Sequence, residues 1–162
     1  DIKMNIFYFD EDPWHAAKMQ PDKMLVKMVL ETAQILSTAH RVLDADDAEN
    51  SLYKATHINH PCTVWARESS GNYEWLLKHF MALCAEYHYR YEKHHASYNK
   101  LAFSLSYLPE NIAVGSMTPV ALAMPDKYKQ DDPVAAYRNY CIHEKEYAAW
   151  NNKRKKPTWW EH

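Results

Sequence analysis

Gly71 and Gly115 are the only glycines in 162 residues. Tight hairpins and phosphate-cradling loops use glycine because it adopts positive φ at no steric cost, so a chain this poor in glycine is steered away from both. Nucleotide folds of the P-loop or dinucleotide kind are disfavoured, and helices remain as the economical architecture. A chain of this length buries roughly 70% of its unfolded surface as one unit, enough to stand without disulfide or metal staples. The sequence therefore predicts a mainly α fold, a compact single-domain helical bundle over residues 1–162 with a short N-terminal strand.

That strand is expected at Asn5-Ile6-Phe7-Tyr8-Phe9, followed by a turn at Asp10-Glu11-Asp12-Pro13 and a helical turn or two from Trp14 to Met19, ended by Pro21. The main helix runs from Asp22 to Leu43, where Leu25, Met28/Val29, Leu36, Ala39 and Leu43 recur at core-facing spacing. An acidic, solvated loop follows from Asp44 to Asn50. Pro61 suits the first turn of a short helix to about Glu68, and Ser69 and Ser70 are caps for a second long helix from Asn72 to about His95. On that helix Glu74/Lys78 and Glu86/Arg90 are expected as outward ion pairs four residues apart. A further helix is predicted from Ser97 to Leu108. The stretch from Glu110 to Asp131 is too long for an inert connector and is expected to pack over something. Asp132-Pro133 caps a last helix to Trp150, and residues 151–162 form a basic, aromatic tail. Asp1-Ile2-Lys3 reads as an added leader ahead of a translation start at Met4.

Charge narrows the partners. Residues 1–80 carry 8 basic and 12 acidic side chains, net −4, and residues 81–162 carry 11 and 9, net +2, so a polyanion would meet the C-terminal half first. Cys62, Cys84 and Cys141 are odd in number and have no Cys-x-x-Cys spacing, which argues for a reducing, cytoplasmic setting and against a thiolate zinc site. No apolar run approaches the roughly 18 residues of a membrane span. Ten histidines invite a metal reading, but no His-Glu-x-x-His occurs, and His57-x-x-His60 is a single loop pair without further ligands. No metal and no cofactor are expected.

Glu31 is the one carboxylate inside the apolar main helix. It shares a line along that helix with Lys27, Gln34, Thr38 and Arg41. Such a stripe is either the solvated face with an ordinary Lys27/Glu31 pair, or one wall of a site. Asn59-His60-Pro61 is either a helix cap or an active-site loop. Tyr87, Tyr89 and Tyr91 spread around their helix, some in the core and some exposed near Arg90 and Lys93. In the tail, four consecutive cations from Lys153 to Lys156 adjoin Trp159 and Trp160, chemistry suited to phosphates and base faces unless the rings dock on the core.

The run Leu25-Val26-Lys27-Met28-Val29-Leu30-Glu31 behind an N-terminal strand resembles the pyrimidine-dimer DNA glycosylases, the small helical endonuclease V type first known from T-even phages. Asn59-His60-Pro61 and Glu86-Tyr87-His88-Tyr89-Arg90-Tyr91 are similar to the His-Pro segment and the Arg-Gly-Tyr helix end of bacterial members. The chain from Met4 to Trp160 also resembles a group of phage-encoded proteins beginning Met-Asn-Ile-Phe, whose setting would be the cytoplasm of a bacterial host.

That resemblance implies DNA repair by a hydrolase and lyase that uses a free N-terminal amine, here at Met4 or Asn5, to attack the sugar C1′ and form an imine. Glu31 would stabilise the developing positive charge and assist proton transfer. Gln34, Thr38, Arg41, His57, Asn59, His60, Arg90, Lys93, Trp159 and Trp160 are the substrate-binding candidates on DNA. Two other readings stand beside it: an enzyme acting on a nucleotide or other small molecule in a cleft around Glu31, Gln34, His57 and His60, and a non-enzymatic helical adaptor. None of the three involves a membrane.

Overall fold

Asp22–Asp44, the second of six helices (α2), forms the spine of a computed structural model that describes residues 4–160. Leu25, Met28, Val29, Leu36 and Ala39 are buried along it, as their helical spacing predicts, Leu43 is half-buried, and Ile35 joins the core from beside the stripe. Before it comes α1 (Pro13–Lys18), opened by Asp12, whose carboxylate accepts the amides of Trp14 and His15. After it come α3 (Pro61–Glu68), α4 (Ser70–Tyr91), α5 (Ala96–Leu105) and α6 (Pro133–Glu144). Helix α2 lies against α3, α4 and α5, and α1 packs on α4. None of these helices is long and apolar enough to cross a membrane.

The helix starts follow local chemistry. His60 Nδ1 accepts the Cys62 amide and Pro61 takes the first position of α3, so the Asn-His-Pro segment acts as a cap. Ser69 Oγ accepts the Asn72 amide to start α4, and the Asp132 carboxylate accepts the Val134 amide to start α6. Helix ends depart further from expectation. Helix α4 stops at Tyr91, where Glu92 turns left-handed at φ 57°, instead of continuing to His95. Helix α5 ends at Leu105 and α6 at Glu144, short of the predicted Leu108 and Trp150.

Two further expectations are corrected. The described residues contain no β-strand: residues 4–9 are buried but irregular, because Phe7 sits at φ 49° and the Phe9 amide turns back to the Phe7 carbonyl at 2.8 Å. That geometry cannot hold a strand ladder. The Glu86/Arg90 pair, expected outside, is buried. Arg90 Nε meets Glu86 at 2.7 Å, Nη1 meets Asp22 at 3.1 Å and the Gln20 carbonyl at 2.6 Å, and Nη2 meets the Lys18 carbonyl at 3.0 Å. Arg154 closes the cluster with two 2.8 Å bonds to Glu86, tying the tail to α4.

The loop after α5 does pack over something, namely the start of α4. Ser70 and Gly71 donate their amides to the carbonyls of Ala113 and Gly115, and Asn72 brackets Thr118. Gly71 is required here, since a Cβ would collide with the Met117 backbone nitrogen. The leader reading of Asp1-Ile2-Lys3 lies outside the described residues, as do the last two positions of the tail.

Candidate active site

The N-terminal segment is pinned by residues far away in sequence. Asn5 Oδ1 accepts the amides of Ile6 and Phe7, both at 2.8 Å, and Nδ2 donates to the Ala123 carbonyl at 2.9 Å. Tyr137 holds that same strip of chain, donating to the Ala121 carbonyl at 2.5 Å and accepting the Ala123 amide at 3.1 Å. A left-handed backbone on a bulky residue such as Phe7 costs of order 1–3 kcal/mol and persists only where the surroundings enforce it. They do: its ring lies parallel to Tyr140 at 6.0 Å, edge-on to Tyr137, and below the Lys145 ammonium.

Glu31 projects from α2 onto this segment. Its side chain is 7% exposed, and the backbone N–H of Asn5 is one of the groups that favour its charged form. The stripe it belongs to is therefore no solvated face at this point. Lys27 Nζ lies 3.4 Å from Oε2, close enough for charge attraction, yet Oε2 makes no hydrogen bond. An ion pair at that separation, from a lysine that is itself 63% exposed, leaves the lone pairs of Oε2 unused. Burial raises the Glu31 pKa above its ordinary value, opposed first by Lys27, then by the Asn5 amide and by Lys145. The neighbouring Cys62 thiol feels the Glu31 charge, but burial pushes it up to about 12, so it stays protonated and is no nucleophile at neutral pH.

The arrangement is a desolvated carboxylate beside the N-terminal segment, with Oε2 free of hydrogen bonds. Such a group takes up a proton more readily than an exposed carboxylate and strongly stabilises positive charge formed beside it. The described residues gather no three His, Cys, Asp or Glu side chains in a metal-binding cluster.

Most of the remaining candidates are engaged elsewhere. Gln34 is half-buried one turn beyond Glu31. Thr38 exchanges hydrogen bonds with the Thr56 backbone, and Arg41 donates to the carbonyls of Asn50, Leu52 and Tyr53, so this half of the stripe anchors the segment before α3. His57 is exposed and bonded to Thr56 Oγ1 at 2.8 Å, Asn59 is exposed, and His60 is committed to its cap. Arg90 is wholly buried in its ion cluster, and Lys93 is exposed. Trp159 packs on Phe9 at 5.0 Å and Trp160 on Trp150 at 5.2 Å, both half-buried. Residue spacing did not reveal Asn5 as a bracket, nor Tyr137 and Lys145 as neighbours of the site. They come from positions more than a hundred residues apart, and only the folded chain joins them.

The family model described as pyrimidine dimer DNA glycosylase matches residues 4–99, which include the N-terminal segment, α1 to α4 and Glu31. No curated protein and no solved structure matches the chain.

Proposed function

The chain belongs to the pyrimidine dimer DNA glycosylase family, and on that premise we propose that it excises a damaged pyrimidine through an amine at the start of its N-terminal segment, with Glu31 as the carboxylate partner. One observation carries this reading: Glu31 is buried on the N-terminal segment with Oε2 unused, and the Asn5 backbone nitrogen is among the groups that act on its charge. In a chain that starts at Asn5 that nitrogen is the free amine itself. In one that starts at Met4 the amine is one residue away, about 3.8 Å along the chain.

A terminal amine has a reference pKa of about 7.7–8.0 and is partly neutral at physiological pH. The neutral amine attacks C1′ of the sugar. The N–C1′ bond forms as the C1′–N1 bond breaks, and the pyrimidine leaves with that electron pair and takes up a proton at N1. The amine passes a proton to Glu31, whose raised pKa suits the transfer; Glu31 returns it to O4′ as the C1′–O4′ bond breaks and the nitrogen lone pair forms the C1′=N bond, and the iminium then stands beside the re-ionised carboxylate. Loss of a C2′ proton then expels the 3′ phosphate and cuts the strand. No metal or cofactor enters any of these steps. The cleft reading around Glu31, His57 and His60 draws no support from the family match, which points to DNA.

Glu31→Gln keeps the shape while removing the charge and the proton acceptor. Cleavage of duplex DNA carrying a thymine dimer is expected to fall by about 10²–10⁴. Unchanged cleavage would remove Glu31 from the chemistry.

A further inference from the structure

Three clefts adjoin one another along α1, α4 and the tail, none of which the Glu31 chemistry uses. The first, about 330 Å³, lies between Trp14, Met81, His88, His94 and Tyr98. The second, about 300 Å³, shares Trp14 and Ala85 with it and continues to Lys18, Tyr89 and Arg154. The third, about 330 Å³, shares Lys18 and Arg154 with the second and runs on past Lys155 to Thr158. Together they make one groove that is aromatic at one end and cationic at the other.

The aromatic end has a particular form. His88 and His94 lie parallel at 4.3 Å with planes 8° apart, and His94 and Tyr98 follow at 5.2 Å and 17°, so three rings already form a short stack. All three are exposed, and Trp14 stands 47% exposed beside them. Rings left open in this way are costly to hydrate and suited to a flat partner. At the other end the carboxylates are neutralised by the protein. Glu86 is held by Arg90 and Arg154, and Glu92 by Lys153 at 3.7 Å, which leaves Lys18 and Lys155 exposed as surplus positive charge.

We propose that this groove binds an unpaired stretch of DNA. Its bases continue the His88–His94–Tyr98 stack and cover Trp14, and its phosphates run past Lys18, Arg154 and Lys155. The occupant is unpaired because in a duplex the base faces are covered by their neighbours, whereas every unstacked base has a face to offer. Flat rings at one end of the groove and cations at the other match a polyanion bearing rings and do not match an apolar peptide.

The test is fluorescence anisotropy of the full chain with a labelled oligothymidylate dodecamer and a blunt duplex of the same length, over a range of salt. The expected result is preferential binding of the oligothymidylate, weakened at least fivefold in the His94→Ala/Tyr98→Ala double variant, because stacking on one ring carries about that much. In a Lys18→Ala/Lys155→Ala variant the slope of log affinity against log salt should shrink by roughly 1.4, about 0.7 for each single-strand phosphate that is no longer neutralised. Unchanged affinity in the ring variant, preference for the duplex, or no binding of the oligothymidylate overturns the proposal. Binding is read here without any chemistry, so failure of the imine mechanism leaves this test standing, and failure here leaves the Glu31 reading standing.

Discussion

Replacing Arg90 by leucine measures how far the fold depends on a charge that sequence spacing places at the surface. The Arg90 side chain has no solvent exposure, and its nitrogens serve Glu86, Asp22 and the carbonyls of Gln20 and Lys18. Leucine fills part of the volume but leaves both carbonyls without donors. Each buried polar group so abandoned costs about 1–3 kcal/mol where water does not reach it. The two carboxylates fare better: Glu86 keeps Arg154 at 2.8 Å, and Asp22 keeps the Asn151 amide at 2.7 Å. Breaking one partner out of a buried ion pair costs about 3–5 kcal/mol, and the retained contacts hold the expected loss within that range. For a chain of this size each kcal/mol moves the melting point by about 2–4 °C, so calorimetry should show a fall of roughly 6–20 °C. The difference depends on pH. Glu86 is held below its ordinary pKa by Arg154 and Arg90 despite its burial, so its contribution is present above about 4.5 and is lost as pH falls through its folded-state pKa. The gap between parent and variant should therefore narrow in acid. Arg90→Lys should recover less than half of the loss, since an ammonium cannot reproduce the fork. A fall below about 2 °C in the leucine variant would show that Arg90 is hydrated and that the cluster does not hold α1, α4 and the tail together.

Further outcomes follow from the same contacts. Glu31→Gln should melt no lower than the parent at pH 7, because the raised pKa of Glu31 marks an ionised group that the fold disfavours; any advantage should fade as pH falls through that raised pKa towards 4.5, and a lower melting point at pH 7 would contradict the assignment. Gly71→Ala should destabilise by about 1–3 kcal/mol in urea unfolding, as the new Cβ forces the Met117 backbone away from α4. His60→Ala should cost about 0.5–2 kcal/mol as a lost cap, with cleavage of dimer-containing DNA unaltered once the protein is folded.

The parts of this molecule that are legible in sequence are those fixed by neighbours in the chain. The stripe from Leu25 to Leu43 sets the main helix to within one residue of its observed end at Asp44, and Pro61, Ser69 and Asp132-Pro133 mark three helix starts through capping chemistry. Where the outcome depends on distant partners, local pattern misleads. Aromatic and β-branched residues at 5–9 suggest a strand, yet no described residues pair with them as a second strand, and Asn5 and Phe7 are instead held by Ala123, Tyr137 and Tyr140. A four-residue spacing shows that Glu86 and Arg90 can meet but is silent on which face is covered; Arg154 and Asp22, supplied from elsewhere, decide that. Glu31 is legible as an anomaly, and the bonds by which Asn5 brackets Ile6, Phe7 and Ala123 are not, because nothing in the helix pattern says which distant residues hold the chain's opening segment.

Everything in the proposed chemistry turns on an amine at the start of the N-terminal segment attacking C1′ next to Glu31. Borohydride reduction reads that step: the protein, prepared with its first residue at Met4 or at Asn5, is reduced on duplex DNA carrying an abasic site, and the adduct is located by peptide mapping. A reduced adduct on the terminal nitrogen is expected, and it should disappear when that nitrogen is acetylated. An adduct mapped to a lysine side chain, or none with either terminus, would show that the terminal amine is not the nucleophile.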